Sequence, residues 1–286
     1  MTSASPSSLA ELCTFSSGQR PWLIDLVQKD IGGGRTSIKD LAVLDDRPGA
    51  TALIISGLDQ RAFEALARTY GPQFSGIYFW KCPRIEDLTP LEDLPNLKYV
   101  AFYWNQRTSR LWDFSRNPVL RGLQFVDFTR IHDLDDLPHA TTVEELRIGN
   151  AVWPKWVLKS LGPLESLTQL RSLNLDLKTI EDGRIQPLAA LQRLESLEFP
   201  TNQFTTRQVA WLRARLPDSM RSKCLGPTYA LDEPIGEGAD AKDVFIVGKR
   251  KPFLNSQLDA DRIERYAEDF WRMVEEFRQN PEMQPD

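Results

Sequence analysis

The sequence predicts an α/β solenoid, a fold in which each coil contributes one short strand and one short helical return arm. Two features predict it. An apolar frame begins seven times at steps of 23 to 27 residues, and leucine or isoleucine recurs at every third position between many of these frames. A length of 286 residues and an apolar content of 41% provide enough material for the long core that this fold needs.

The frame has the form LxxLxLxxN, and its clearest copy runs from Leu97 to Asn105. Its central xLxLx is typical of a short strand, whose two apolar residues point to one face while their neighbours point to the other. A single coil cannot bury that apolar face, so we expect stacked coils to pair their strands in parallel. The copies begin at Ala50, Phe74, Leu97, Leu120, Val143, Leu170 and Leu194.

The ninth position of the frame carries a side chain that can satisfy turn backbone groups of adjacent coils. Asn105 and Asn202 suit this task, and Cys82 is tolerated there. We therefore interpret Cys82 as a structural residue and not as a reactive thiol.

The return arms carry apolar residues at a period of three, which favours short 3-10 turns over a full α-helix. The clearest run is Ile85, Leu88, Leu91, Leu94 and Leu97. In the first arm, Asp59 is expected to cap a longer helix that ends near Thr69. The longest step leaves room for an insertion at Val152–Trp156, which we expect to form a bulge or an added turn.

A family resemblance rests on this frame and on the segment Ile85-Glu-Asp-Leu88-Thr-Pro-Leu91-Glu-Asp-Leu94-Pro-Asn-Leu97. It resembles the short leucine-rich-repeat subclass of bacterial internalins and of a eukaryotic phosphatase-1 regulatory subunit. The likeness covers about residues 50–217. It implies a curved parallel sheet on the concave face, 3-10 or short helices on the convex side, helical caps at both ends, and a protein ligand on the concave sheet. The chain departs from the pattern in its irregular ninth positions and at Asn117 and Ala140 in the arms.

The segments on either side of the seven coils are expected to act as caps. Residues 1–49 form the N-terminal cap segment, with a helix near Trp22 to Asp30 that Gly32–Gly34 breaks. No lysine-serine pair follows these glycines, so a phosphate loop is not indicated. Residues 218–286 form a C-terminal extension, in which we expect a loop over Gly226–Lys242, a short strand over Val244–Val247 and an amphipathic helix over Asp259–Gln279.

Composition argues against several classes of function. The net charge of −5 comes from interspersed acidic and basic residues, whereas a nucleic-acid binder usually carries a concentrated basic face. The sequence shows no secretory signal and no apolar run of about 18 residues, so we expect no membrane association. Three widely spaced cysteines fit a reducing compartment, and we predict a cytoplasmic location.

No catalytic, metal or cofactor site is predicted. His132 and His139 have no partner at metal-ligand spacing. Cys224 invites comparison with bacterial ubiquitin-ligase effectors that join such repeats to a cysteine catalytic domain. The remaining tail of about 60 residues is too short for that domain. We therefore predict a protein that is not an enzyme.

The strand residues that flank the buried pair are expected to project onto the concave face. Coils two and three place five aromatic residues on it, and later coils place polar ones. The predicted binding residues are Tyr78, Trp80, Tyr99, Tyr103, Trp104, Gln124, Asp127, Glu145, Arg147, Asn174 and Asp176. Aromatic residues of this kind are favoured at interface hot spots. An alternative interpretation is that some rings pack under the N-terminal segment.

The sequence thus predicts a protein-interaction module, an adaptor or scaffold, that binds a protein partner on its concave aromatic face. The acidic residues of the concave face would favour a partner surface that bears Lys or Arg. An alternative is an inhibitor or immunity-type protein that occludes an enzyme, as ribonuclease inhibitors with a related repeat do. The two alternatives use the same surface and differ only in the partner.

Overall fold

The computed structural model describes residues 5–15, 20–151 and 155–285, and its main feature is a parallel sheet of eight strands. Each frame supplies one strand, so the predicted α/β solenoid is confirmed. In sheet order the strands are β1 (Leu23–Leu26), β2 (Ala52–Ile55), β3 (Gly76–Trp80), β4 (Tyr99–Asn105), β5 (Gly122–Phe128), β6 (Glu145–Gly149), β8 (Ser172–Asp176) and β10 (Ser196–Glu198). A second, two-stranded parallel sheet pairs β7 (Val157–Leu158) with β9 (Thr179–Ile180).

Pairing of neighbouring strands in register places equivalent residues of each frame in rows. The first apolar row is fully buried and runs through Leu53, Ile77, Val100, Leu123, Leu146, Leu173 and Leu197. The second row contains stacked rings, and the centroids of Phe79 and Phe102 lie 4.6 Å apart. Burying each such side chain stabilises the fold by about 1.5–3 kcal/mol. The two rows therefore form the core along the whole sheet.

Buried asparagine side chains form hydrogen bonds with the backbone groups of the turns between coils, as the frame predicts. The Asn105 Nδ2 donates to the carbonyl of Ile85 at 2.9 Å, and its Oδ1 accepts from the amides of Arg107 and Thr108. Asn117 does the same in a return arm, where its Nδ2 donates to the carbonyls of Leu91 and Leu94. An amide replaces an apolar residue there without leaving polar groups unpaired.

The Cys82 sulfur is buried and lies 3.7 Å from the carbonyl oxygen of Ile55 in the preceding coil. Burial raises the pKa of the Cys82 thiol to about 12. This environment matches the structural role that its frame position predicts, because a buried thiol is unreactive.

The return arms are 3-10 turns, as the period of three indicates. They span Thr89–Asp93, Phe114–Arg116, Leu137–His139, Gly162–Ser166 and Gln186–Ala190. The first arm instead forms the α-helix α2 (Gln60–Thr69), capped by Asp59, whose carboxylate accepts from the Ala62 amide. Val152, Trp153 and Pro154 of the predicted insertion lie outside the described residues.

The predicted helix near Trp22 to Asp30 is wrong, since this segment contains β1. β1 pairs with β2 in parallel, and Ile24 joins the buried row beside Leu53. The open edge of β2 supplies backbone hydrogen bonds that outweigh the partial helical spacing of three apolar residues. A 3-10 segment over Ile38–Asp46 follows as its return arm. The sheet therefore begins one strand before residue 50.

The glycine triplet has a packing role. Gly33 and Gly34 adopt positive φ angles of 87° and 68°. A Cβ on Gly33 would lie 2.4 Å from the carbonyl oxygen of Lys81, so only glycine permits this approach. The loop is fastened by the Ser56 hydroxyl, which donates to the Gly33 carbonyl at 2.8 Å.

Two helices close the far end of the sheet. They are α3 (Thr206–Arg215), with a capping box of Thr205 and Gln208, and α4 (Ala260–Gln279). The Arg215 guanidinium donates to the Phe277 carbonyl at 2.8 Å, and the apolar stripe of α4 is buried at Phe270, Val274 and Phe277. The amphipathic helix therefore packs against α3 at its C-terminal end.

The predicted loop over Gly226–Lys242 is wrong in part, because it contains the strand β11 (Thr228–Ile235). β11 pairs in antiparallel fashion with β12 (Lys242–Ile246), which in turn pairs with β13 (Phe253–Leu254). Every residue of β11 is exposed or half-buried, so the hydrophobic pattern that reveals a strand is weak there.

Replacing Asn105 with alanine is expected to lower the free energy of unfolding by about 3 kcal/mol, since it leaves buried backbone groups without partners. Asn202 occupies the same frame position in the last coil but is exposed. Asn202→Ala is therefore the matched control, with an expected change within about 0.5 kcal/mol. Urea unfolding followed by circular dichroism measures both. Equal losses in the two variants would refute the role assigned to Asn105.

Candidate functional site

The register places the predicted binding residues in three rows on one face of the sheet, which we call the concave face. The first row includes Tyr99 and Glu145. The second row reads Tyr78, Ala101, Gln124, Arg147 and Asn174. The third row reads Trp80, Tyr103, Val126, Gly149 and Asp176, and Trp104 and Asp127 follow at the strand ends.

A short N-terminal helix covers the aromatic half of this face. The helix is α1 (Leu9–Cys13), and it packs on β2 to β5. Beneath it, Tyr78 and Tyr99 each keep only 5% of their surface exposed. They do not form the open aromatic patch that the sequence predicts, and the alternative of packing under the N-terminal segment holds for these two rings. The sequence pattern identified the face of the sheet on which each ring lies, but not the segment that covers the ring.

The sheet is shaped to accept residues 5–15, which we call the N-terminal segment. A Cβ on Gly122 would lie 2.7 Å from the Leu9 Cγ, and one on Gly76 would lie 2.8 Å from the Pro6 Cγ. Larger residues at these two strand positions would push the segment off the face. Glycine is otherwise unfavourable in strands, so its presence indicates a close approach.

Two polar contacts fix the position of the N-terminal segment. The Tyr99 hydroxyl donates to the Ser7 carbonyl at 2.7 Å, and the Glu145 carboxylate accepts from the Leu9 amide at 3.1 Å. Burial raises the pKa of Glu145, the hydrogen bond from Leu9 opposes this shift, and the nearby charge of Glu144 adds to it. Glu145 is therefore occupied by a contact within the chain.

A small polar cluster lies at the C-terminal end of α1. Gln124 and Arg147 lie close enough to both Cys13 and Tyr78 to lower the pKa of each group. Burial raises the pKa of the Cys13 thiol to about 12 and raises the pKa of Tyr78 as well. The raised pKa values favour the neutral forms of Cys13 and Tyr78 near pH 7.

The remaining aromatic residues lie at the edge of the N-terminal segment. Phe15 contacts Trp80 edge-on, with ring centroids 5.7 Å apart, and Trp80 stacks on Tyr103 at 6.3 Å. The Lys81 ammonium lies 4.2 Å from the centre of the Trp80 ring. Trp80, Tyr103 and Trp104 are each half-buried, so they keep surface that a partner could contact.

A groove of about 590 Å³ opens where strands β4 to β6 end. We call it the rim groove, and its walls include Tyr103, Trp104, Asp127, Asn150, Lys155 and Trp156. Its walls are mainly apolar, with a few polar groups among them, which is the usual composition of a binding pocket. Ile31, which is 91% exposed, lies at its margin.

One wall of the rim groove is built on strained backbone. Lys81, Trp104 and Asp127 occupy the same position in successive coils with φ of 52°, 63° and 57°, where the first coil has Gly57 at 72°. This left-handed conformation costs a non-glycine residue about 1 kcal/mol or more and is rare for a bulky one. The strain at Trp104 turns an indole toward the groove, and such strain is commonly retained for function.

Hydrogen bonds hold the opposite wall in place. The Asn150 Nδ2 donates to the Asp127 carboxylate at 2.8 Å, while its Oδ1 accepts from the amides of Lys155 and Trp156. The Trp156 indole N–H donates to the carbonyl of Ile131. The rim groove is therefore preformed, so a ligand would not have to order its walls.

The concave face beyond the N-terminal segment is open and polar. It carries Arg147, Asn174, Asp176 and Glu198, of which Arg147 and Glu198 are exposed. Burial raises the pKa of Asp176, Arg147 lowers it, and Asp127 raises it further. This half of the face therefore presents both signs of charge beside the rim groove.

The described residues contain no cluster of three or more His, Cys, Asp or Glu side chains arranged to hold a metal ion. Cys224 is buried beneath β10, and burial raises the pKa of its thiol. His132 lines the rim groove, whereas His139 lies 3.6 Å from Asp113 on a return arm. Within the same part of the chain, no helix has the length and apolar character that spanning a membrane requires.

Sequence reasoning missed α1, although a local signal was present. Ser8 caps the helix by accepting from the Glu11 amide at 3.1 Å, and Leu9 and Leu12 follow at helical spacing. The helix has only five residues. Isolated helices of that length are unstable in water, so its existence depends on the sheet beneath it.

The repeated frame, the eight parallel strands and the 3-10 return arms together define a leucine-rich-repeat fold. No family model matches the sequence, and no curated protein matches it significantly.

Three solved structures are similar to parts of this chain. An internalin, InlF, of Listeria monocytogenes is 21% identical with a TM-score of 0.48, over 64% of this chain and 56% of that one. A leucine-rich-repeat protein of Leptospira interrogans is 14% identical with a TM-score of 0.49, over 71% and 54%. Internalin C2 of Listeria monocytogenes is 18% identical with a TM-score of 0.42, over 65% and 73%. The chain thus spans about half the length of the first two proteins.

Glu145→Gln is expected to stabilise the chain at neutral pH, because a neutral acceptor replaces a half-buried carboxylate and still receives the Leu9 N–H. The pKa of Glu145 is raised in the folded state, so the wild-type chain gains stability as the pH falls through that raised pKa. The advantage of Glu145→Gln should therefore shrink as the pH approaches the ordinary value of 4.5.

Thermal unfolding of both proteins between neutral pH and pH 4.5 measures this difference. An advantage that stays constant with pH, or a variant less stable than wild type at pH 7, would show that Glu145 is not buried by the N-terminal segment.

Proposed function

We propose that this protein is a cytoplasmic adaptor that binds a protein partner through the rim groove and the adjoining open half of the concave face. The observation that carries the proposal is the conformation of Trp104. A bulky residue is held in strained backbone at the wall of a preformed groove, although glycine occupies the equivalent position in another coil. Lys81 and Asp127 share this backbone conformation, so the turn itself belongs to the coil. What an interface gains at this position is the half-buried indole of Trp104 as an aromatic anchor.

The neighbouring charges support a partner of a particular chemistry. Asp176 and Glu198 lie on the open half of the concave face, and Asp127 lies in the rim groove. These carboxylates would favour a partner that places an apolar or aromatic side chain in the groove and Lys or Arg beside it. Such charges act mainly on the association rate and on specificity. Arg147 would select an acidic group at one point of the same partner.

Trp104→Gly is expected to weaken partner binding by about 2–4 kcal/mol, the usual cost of removing a tryptophan hot spot. Glycine adopts a positive φ without strain, so the variant should unfold within about 3 °C of the wild-type protein. The matched control is Trp271→Ala, because Trp271 is 46% exposed on α4 and lies outside the rim groove.

The partner can be captured from a lysate on the immobilised wild-type chain, and its affinity for each variant measured by calorimetry. A partner that binds wild type and Trp271→Ala but loses affinity for Trp104→Gly supports the proposal. Equal binding to all three proteins would reject the rim groove as the anchor site. An activity assay on the captured protein then separates an adaptor from an inhibitor that occludes an enzyme.

A further inference from the structure

We propose that the N-terminal segment is an intramolecular ligand of a helix-binding site on the concave face. A short helix of a partner displaces it when that helix carries the same pattern. The pattern is two aliphatic side chains three residues apart and an aromatic ring three residues further along. This inference extends the proposed function to the covered half of the same sheet. Its test below uses no partner, so it can fail while the rim-groove proposal stands.

The solenoid core is complete without the N-terminal segment. Leu9 and Leu12 belong to a separate buried cluster, which lies on the concave face of the sheet. The other fully buried members of that cluster are Trp22, Ala52, Ile54, Tyr78, Tyr99 and Ala101. The apolar rows that join the coils lie on the opposite side. Removing the segment from the face would therefore leave the packing between coils intact.

The concave face beneath the N-terminal segment has the features of a peptide-binding site. Gly76 and Gly122 leave room for apolar side chains of the occupant, which here are Pro6 and Leu12 over Gly76 and Leu9 over Gly122. The Tyr99 hydroxyl and the Glu145 carboxylate hold one main-chain carbonyl and one main-chain amide. Contacts to the backbone of an occupant do not depend on its side chains, so another segment of the same shape can make them.

The N-terminal segment resembles a ligand that folds on its binding site. Helix α1 contains five residues, too few to be stable alone, so the face imposes its conformation. The apolar side chains that contact the sheet are Pro6, Leu9, Leu12 and Phe15, at a spacing of three. Phe15 is 50% exposed, so the aromatic end of the segment is incompletely buried. A partner that buries this ring fully would bind the same face better.

The three cysteines of the chain provide a direct test. Cys13 lies at the end of α1, while Cys82 and Cys224 are buried in the solenoid. Cys13 is half-buried with the segment in place, so iodoacetamide labels it before the two buried thiols in any case, and the change in its rate when a competitor is added reports displacement of the segment. Mass spectrometry of the full chain, sampled over time, gives the three labelling rates separately.

The displacing probe is a synthetic peptide of residues 5–15 that carries Cys13→Ser. It should accelerate the labelling of Cys13 as its concentration rises, without changing Cys82 or Cys224. Because the tethered segment has an effective concentration on the order of millimolar, the peptide must reach a similar range. The control peptide also carries Leu9→Ser and Leu12→Ser, and it should have no effect.

A chain that carries Leu12→Ala should hold its own segment less tightly. Its Cys13 should react at least about tenfold faster than in wild type, and the peptide should act at correspondingly lower concentration. The matched control is Ala10→Ser, since Ala10 faces solvent on the same helix.

Four outcomes would overturn the proposal. A Cys13 whose labelling accelerates only together with that of Cys82 and Cys224 would make the segment an integral part of the fold. A Leu12→Ala chain that fails to fold would mean the same. A peptide without effect on the Leu12→Ala chain would show that the face accepts no second occupant. A Cys13 labelling rate that falls with protein concentration would assign the occupant to a second copy of the chain.

Discussion

Parallel pairing of strands in strict register is the constraint on which the rest of the structure depends. Since side chains alternate along a strand, one register assigns every residue of β1 to β10 in the main sheet either to the core rows or to the concave face. The stacked rings of Phe79 and Phe102 and the fully buried Leu53 and Leu123 show how closely the coils approach. A slip of one residue would expose these side chains and bury the polar groups of the concave face.

The same register creates both candidate binding regions. It brings Gly76 and Gly122 to the positions on either side of Tyr99 and so leaves room on the sheet for the N-terminal segment. At the strand ends it aligns the strained positions of successive coils, where Trp104 and Asp127 face a common groove. One region is covered within the chain and the other is open. The protein therefore presents an available surface and a masked one on adjoining parts of a single sheet.

The sequence predicted what depends on local pattern. The strand of each frame, the 3-10 arms, the Asp59 cap and the buried Asn105 follow from periodicity and hydrogen-bonding chemistry near each residue. Three elements did not follow, because their neighbours in space decide them. β1 exists through the open edge of β2, β11 through pairing with β12, and α1 through the face that it covers.

The candidate site was predictable to the same extent. The rows of concave residues were correct in position, since they follow from alternation along the strands. The cover over Tyr78 and Tyr99 joins residues about 90 positions apart, as in the bond from Tyr99 to Ser7. No local pattern reports such a contact. The left-handed conformation of Trp104 was equally invisible, because the residue type argues against it.

The most direct measurement of the central claim is a set of nuclear Overhauser contacts in the full chain. Selective labelling of leucine methyl groups and tyrosine rings would report which of them lie within a few ångströms. The structure requires contacts from the methyls of Leu9 and Leu12 to the rings of Tyr78 and Tyr99. Tyrosine rings that contact only solvent, or that contact the leucines of the inner rows such as Leu123, would contradict the account.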